Sequence, residues 1–336
     1  MLSTSKIVLD VDTLARWSKK HLGKALVNNR EITDGWFNTI HVLELADNSR
    51  AVLKVSPPPT FEPMRYERNI IATEVAVYRR LAQAGLRVPQ ILADCPDGDG
   101  LGHAWFIMEF VEGEAWGRLR KSQSPDRCDV IDAAIARQSA LANGIQGERF
   151  GRWQDDHCSS SSWAASFQAM VEDLLADARD KSVCLPRSEA ALRELVQAAQ
   201  ADLDMVKTPR LVLWDLHDGN VIVKQDPLEL AGIVDPDRAL WGDPLMEFYF
   251  RSLANVSEAW QAAYRQACAE ASIPHPLDVP GAARRLALYD LYLALVMVIE
   301  VAFRGYGTEH EAWVRGFCNR ALASCESDPK GTSLHS

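Results

Sequence analysis

Hydrophobic residues follow one rhythm over the first third of the chain and another over most of the rest. From Glu31 to Val55 the pattern is strand-like. Ile40–Leu45 (IHVLEL) and Arg50–Val55 (RAVLKV) are β-prone runs, and Ala46-Asp47-Asn48-Ser49 between them has the composition of a hairpin turn. Pro57-Pro58-Pro59 then stops regular structure, since proline has no N–H to donate. Ile70, Ile71, Val75, Tyr78 and Leu81 recur at helical spacing, which predicts a helix over roughly Tyr66–Ala84 closed by Gly85. Two further runs, VPQIL (88–92) and HAWFIMEFV (103–111), read as strands on either side of a turn at Pro96–Gly102. The expected arrangement is ββ-α-ββ, a small α+β lobe.

Beyond Gly113 the period becomes helical. Segments 136–144, 162–180, 188–206, 257–271, 282–303 and 311–325 all repeat their apolar residues every three or four positions. Among them lies one β-rich island, residues 211–244, with LVLW, VIVK and LAGIVD as short strands. The expected organisation is an N-terminal lobe over 1–107, a connector over 108–114, a helical lobe over 115–326 that contains the island, and a tail over 327–336.

Composition narrows the field. With 47% hydrophobic residues in 336, the chain can bury a sizeable core, and its net charge of −10 gives no footprint for a phosphate backbone, so no nucleic-acid partner is expected. The seven cysteines are scattered, odd in number and never spaced as C-x-x-C, which fits a reducing compartment better than a disulfide framework or a zinc site. No basic segment followed by an apolar one opens the chain, and Asp290 and Glu300 interrupt the most apolar stretch, Leu286–Phe303. A cytoplasmic protein with no membrane partner is the expectation.

The island carries the most informative chemistry. Asp215 and Asn220 lie five residues apart in the loop WDLHDGN, and Asp235 comes later, at the end of the strand AGIV. Acidic and amide residues are common in turns, and D-x-x-x-x-N alone arises by chance. Here apolar strands bracket the loop and a second Asp lies downstream. That is the layout of protein-kinase-type phosphotransferases, in which the first Asp takes the proton of the acceptor hydroxyl while the Asn and second Asp hold Mg²⁺. Carboxylate and amide oxygens are the hard ligands Mg²⁺ requires.

The segment LVLWDLHDGNVIV…AGIVDPDRALWGDP resembles the catalytic and metal-binding motifs of the aminoglycoside phosphotransferase family, whose relatives include choline-kinase-like and fructosamine-kinase-like small-molecule kinases. Asp215, Leu216, His217, Gly219, Asn220 and Val221 match the catalytic loop, and Asp235, Gly242, Asp243 and Pro244 match the family's later metal-binding stretch and Gly-Asp-Pro turn. The resemblance extends from about Thr33 to the helices beyond Glu247 and implies a two-lobed, protein-kinase-like α+β fold. It also implies Asp215 as catalytic base and Asn220 and Asp235 as Mg²⁺ ligands. The sequence departs from the family pattern at Leu213 and Trp214, where His and Gly are usual, and at Pro236.

The first lobe fits the same scheme. Lys54 lies on a strand between apolar neighbours, an expensive place for an unpaired ammonium, and Glu74 on the next helix is its natural partner, with Glu67 the alternative. In the family's first hairpin, Gly35, Phe37 and Asn38 would fall in the loop that covers the nucleotide. Met108, Glu109, Phe110 and Val111 match the connector that brackets the adenine. No G-x-x-x-x-G-K-[ST] occurs, so P-loop chemistry is not expected.

The function expected is Mg²⁺-dependent transfer of the γ-phosphoryl group of ATP (or GTP) to a hydroxyl of an aminoglycoside-like antibiotic or another hydroxylated metabolite. Asp243, Glu247, Asp290 and Glu300 are candidate residues for a cationic acceptor. The competing expectation is a nucleotide-binding pseudokinase that serves as an interaction module.

Overall fold

In a computed structural model, residues 5–33, 37–96, 98, 102–153, 155–248 and 256–327 are described. Its contacts divide the chain into two discontinuous units. The first holds 1–63, 69–123 and 217–237, and the second holds 64–68, 124–216 and 238–336.

The first unit is built on a five-stranded antiparallel sheet. Helix α1 (Val11–Trp17) precedes strands β1 (Leu26–Ile32), β2 (Thr39–Leu45) and β3 (Arg50–Val55). Helix α2 (Ile70–Gln83) and strands β4 (Ile91–Cys95) and β5 (Trp105–Glu109) complete it, in the order β1-β2-β3-β5-β4. The hairpin between β2 and β3 forms as its composition suggests. The Asn48 N–H donates to the Leu45 carbonyl at 2.9 Å, and Asp47 Oδ1 accepts from the Ser49 N–H at 3.1 Å.

Both faces of β3 are covered, which explains its nearly continuous apolar run. Ala51, Leu53 and Val55 pack with Leu14 and Trp17 of α1, together with Leu43, Trp105 and Ile107. Val52 points the other way, toward Ile70, Ile71, Val75 and Tyr78 of α2. Side chains alternate along a strand, so Lys54 shares the Val52 face and looks toward α2. Its register neighbours are Ile40 on β2 and Phe106 on β5.

The structure departs from the sequence pattern at four places here. Helix α1 and strand β1 were not expected. Strand β1 (LVNNREI) is polar and mostly exposed at a sheet edge, so it shows no apolar alternation. Helix α2 starts at Ile70 rather than Tyr66, because Arg65–Glu67 forms a separate 3₁₀ turn and Asn69 adopts a left-handed φ of +58°. Strand β4 begins at Ile91, beyond Pro89.

The hairpin Val221–Gln225/Leu228–Ile233 also belongs to the first unit, with Glu114–Ala115 as its third strand. Gly113 enters that strand at φ +137°, and a Cβ there would lie 2.5 Å from the Val223 carbonyl oxygen, so only glycine fits. The Ile233 N–H donates to the Arg87 carbonyl at 2.8 Å, tying the hairpin to the segment before β4.

The second unit is mostly helical: Pro125–Gly144, Trp163–Asp180, Glu189–Ala198, Glu258–Glu270, Ala282–Arg304 and Thr308–Glu326. Its core includes Trp163, Phe167, Tyr264, Tyr289 and Tyr292. The helix Ala282–Arg304 corrects one expectation. Asp290 and Glu300 do not reduce its apolar stretch below the length of a membrane span. Its 23 residues are long and apolar enough to cross a membrane by length and composition, yet 61% of its most apolar window is buried inside the unit, as in a core helix. A small sheet of Gly151–Arg152, Leu240–Gly242 and Arg210–Val212 leads into the loop that carries Asp215. All seven cysteines are free thiols.

Candidate active site

In the first unit, Lys54 is 3% exposed and sits among carboxylates. Its ammonium donates to Glu74 Oε2 at 2.6 Å and to Asp235 Oδ1, and lies 3.6 Å from Asp237 Oδ2. Burial works against the charge, but Asp235, Glu74 and Asp237 more than offset it and hold the ammonium well above its usual range. Burial pushes Glu74 up to about 7, with Lys54 pulling it down and Asp235 adding to the rise. Glu74 rather than Glu67 is therefore the partner of Lys54. Glu67 lies in the second unit and pairs with Arg304.

Asn220 and Asp235 are joined through the backbone. The Val234 N–H donates to the Asn220 carbonyl at 2.9 Å, so the loop carrying Asn220 docks on the end of the strand leading to Asp235. Within that loop His217 Nδ1 accepts from the Gly219 N–H at 2.9 Å, and a Cβ on Gly219 would meet the His217 ring at 2.5 Å. The Asp235 N–H donates to the Tyr78 hydroxyl at 2.9 Å, and Asp235 takes φ +62°, a left-handed conformation that Asp tolerates better than most residues.

Carboxylate oxygens of Glu74, Asp235 and Asp237 lie within 4.8 Å of one another, and Glu74 Oε1 is buried with no hydrogen-bond partner. One ammonium does not neutralise three carboxylates. The donor set is all oxygen, and a divalent hard cation fits it. Asp237 and Tyr78 were not singled out from sequence. The signals were present in the D-P-D spacing after the strand and in Glu74-x-x-x-Tyr78, which places both side chains on one helix face. A second acidic group, Asp155, Cys158 and Asp173, already holds a cation, since Arg152 bonds Asp173 and lies 3.3 Å from Asp155.

Of the residues expected over the nucleotide, Gly35 lies outside the described residues. Phe37 packs edge-on against Phe61, and Asn38 is buried with its carbonyl accepting from Lys6. Met108 is buried between Val52 and Ile91 in register. The Glu109 N–H donates to the Gln90 carbonyl at 2.9 Å, the Phe110 ring lies 4.0 Å beneath the Arg50 guanidinium, and Val111 faces Gly232.

In the second unit, Asp215 comes directly after two residues that replace the family's His and Gly. Leu213 is buried and its N–H donates to Glu247 Oε1 at 2.6 Å. Trp214 takes φ +55°, a conformation glycine adopts freely and a bulky residue only under strain. Its ring packs against Tyr66 and Tyr292, at centroid distances of 6.3 and 5.4 Å. Asp215 itself faces a cation, with its Oδ2 3.6 Å from Arg238 Nε.

The four acids expected to greet a cationic acceptor all lie in the second unit. Asp243 is buried, and its Oδ2 accepts from Arg285 Nε and the Tyr289 hydroxyl, each at 2.8 Å. Glu247 accepts from Leu213, with Asn143 Nδ2 at 3.4 Å. Burial pushes its carboxyl up to about 7. Glu300 pairs with Arg238 at 3.0 Å and accepts from the Tyr66 hydroxyl. Asp290 lies on the same helix near Cys325, a thiol that burial, with Asp290 adding, raises to about 12. Asp243, Glu247 and Glu300 thus have internal partners, and Glu247 holds the loop through Leu213.

Comparison with known proteins identifies the family and the fold. The phosphotransferase enzyme family (APH) matches residues 29–289. Mouse acyl-CoA dehydrogenase family member 10 is 24% identical over 254 residues, 72% of this chain but only 22% of that protein, so the chain spans a small part of its curated relative. Among solved structures, a thermostable mutant of aminoglycoside phosphotransferase APH(4)-Ia superposes with TM-score 0.65 at 16% identity, covering 93% of this chain and 99% of that one. A Thermobifida fusca YX-ER1 protein named for fructosamine-3-kinase gives 0.66 at 20%, covering 95% and 100%. A further APH(4)-Ia variant, solved in a ternary complex with AMP-PNP and hygromycin B, gives 0.63 at 17%, covering 95% and 99%. The α+β fold, with its β-rich N-terminal and helical C-terminal regions, is the protein-kinase-like fold of these proteins, and the chain belongs to the phosphotransferase enzyme family.

Proposed function

We propose that this chain is a small-molecule kinase that moves the γ-phosphoryl group of ATP (or GTP) to a hydroxyl of an aminoglycoside-like compound or another hydroxylated metabolite, with Mg²⁺. The observation that carries this reading is the buried Lys54–Glu74 pair, set against Asp235 and Asp237 and tied to Asn220. Lys54, oriented by Glu74, holds nucleotide phosphate. Met108, Glu109, Phe110 and Val111 bracket the base, while Gly35, Phe37 and Asn38 cover the phosphates. Asn220 and Asp235, joined by Asp237, hold Mg²⁺, which when bound neutralises phosphate charge.

Asp215 takes the proton of the acceptor hydroxyl as that oxygen bonds to the γ-phosphorus. The bond to the bridging oxygen breaks, and its electron pair leaves with the nucleoside diphosphate. Family membership and the nucleotide and hygromycin B bound by a structural neighbour support this scheme. An aminoglycoside stands first among candidate acceptors on that neighbour alone, since Asp243, Glu247 and Glu300 have internal partners.

The test is a coupled ADP-release screen with Mg·ATP against aminoglycosides, peptide antibiotics, amino alcohols and sugars. Acceptor-dependent ADP release that disappears in Asp215→Asn is the expected result. Mg·ATP binding with no ADP release from any acceptor would instead identify a nucleotide-binding module.

A further inference from the structure

The second unit contains a chain of polar contacts that ends on Asp215 and that the kinase scheme does not use. Arg238 Nε lies 3.6 Å from Asp215 Oδ2, and its Nη2 lies 3.0 Å from Glu300 Oε1. The same Glu300 oxygen accepts from the Tyr66 hydroxyl. The Arg238 guanidinium carbon also sits 5.2 Å from the centre of the Tyr66 ring, which meets Trp214 edge-on. Glu300 and Tyr66 are buried, and the Asp215 and Arg238 side chains are about one-fifth exposed.

We infer that Arg238, held by Glu300 and Tyr66, is a positioning residue that fixes the Asp215 carboxylate for proton abstraction. This rests on the reading of Asp215 as the base. An aspartate in a loop can rotate about χ1 and χ2, and misorienting a general base loses most of its contribution. A cation at 3.6 Å biases the rotamer toward one orientation. The guanidinium is fixed in turn, because Glu300 sets one edge and the Tyr66 ring lies against it. Glu300 belongs to a core helix rather than a loop, so the chain of contacts refers the base to rigid structure.

Sequence delivers the same residue. Arg238 follows directly after Asp237 in the chain, at the first residue of the second unit's last segment.

The experiment measures ADP release from Mg·ATP with water as acceptor, at high enzyme concentration, so that no particular alcohol is needed, and repeats it with any alcohol active in the screen. Arg238→Gln should lower kcat about 10- to 100-fold while the KM for ATP and the Mg·ATP thermal shift stay unchanged. Millimolar guanidinium ion should restore part of the kcat of Arg238→Ala. Arg238→Lys should stay within about 10-fold of wild type. Tyr66→Phe, which changes no charge and keeps the ring, should lower kcat a few-fold and serves if Arg238→Gln fails to fold. If kcat is unaltered in folded Arg238→Gln or in Tyr66→Phe while Asp215→Asn is inactive, the inference is overturned and the base assignment stands. Parallel loss of Mg·ATP binding without guanidinium rescue would mark Arg238 as merely structural, which also overturns it. Turnover that survives Asp215→Asn, or a wild type that never releases ADP, would instead remove the kinase reading beneath it.

Discussion

The Leu213 N–H donates to Glu247 Oε1 at 2.6 Å, inside the second unit and two residues before Asp215. The loop is therefore held from below by a buried carboxylate where the family pattern has a histidine. A full charge in that setting is costly, and burial lifts the Glu247 carboxyl to about 7 from its ordinary 4.5. The folded state thus binds the Glu247 proton more tightly than the unfolded state. Its contribution to stability is complete below about 4.5 and is lost as pH rises to about 7, on the order of 3 kcal/mol at most. Glu247→Gln keeps an acceptor for Leu213 and removes the titration. Urea unfolding of the two proteins between pH 4.5 and 8 should show the variant losing less stability with rising pH. Parallel curves would refute the assignment.

Trp214 tests backbone strain separately from packing. Its φ of +55° favours glycine over alanine by roughly 1 kcal/mol, the reverse of the ordinary order, while loss of the indole costs about 3–5 kcal/mol for either. Trp214→Gly and Trp214→Ala should both be destabilised, with Ala the worse. An Ala variant more stable than Gly would contradict the left-handed conformation.

Lys54 and Glu74 should behave as a coupled pair. Removing the ammonium alone leaves the Glu74 carboxylate buried without its cation, a loss of about 3–5 kcal/mol. Lys54→Met should also abolish Mg·ATP protection in a thermal-shift assay. In a double-mutant cycle, Lys54→Met/Glu74→Leu should be less destabilised than the sum of the single changes. Strict additivity would show that the two side chains act independently.

Asp235 and Asp237 separate metal binding from folding. Asp235→Asn removes a carboxylate ligand while keeping a hydrogen-bonding side chain next to Lys54. It should lose the part of nucleotide protection that depends on Mg²⁺, and Asp237→Asn should weaken it less. Full Mg²⁺-dependent protection in both variants would remove the assignment.

Much of this was legible in the chain. The Asp215, Asn220 and Asp235 spacing pointed to the kinase chemistry, and the apolar neighbours on both sides of Lys54 forecast a buried ammonium that needs a helical carboxylate. What stayed hidden depends on long-range contact. Glu67 and Glu74 share one stretch of sequence, and only the break at Asn69 sends the first to Arg304 and the second to Lys54. Asp243, Glu247 and Glu300 looked available because a sequence shows charges but not the partners that folding brings to them. Strand β1 escaped because residues at a sheet edge need not alternate.

That edge has its own consequence. A five-stranded open sheet leaves unpaired backbone groups along its outer strands, a template on which a second molecule could extend it. Strand β1 presents Asn28, Asn29, Arg30 and Glu31 there, and at the opposite edge Asp94 of β4 is paired with Arg79. Charged and amide side chains make edge-to-edge joining unfavourable, so the polarity that hid β1 from the sequence pattern protects the sheet against aggregation.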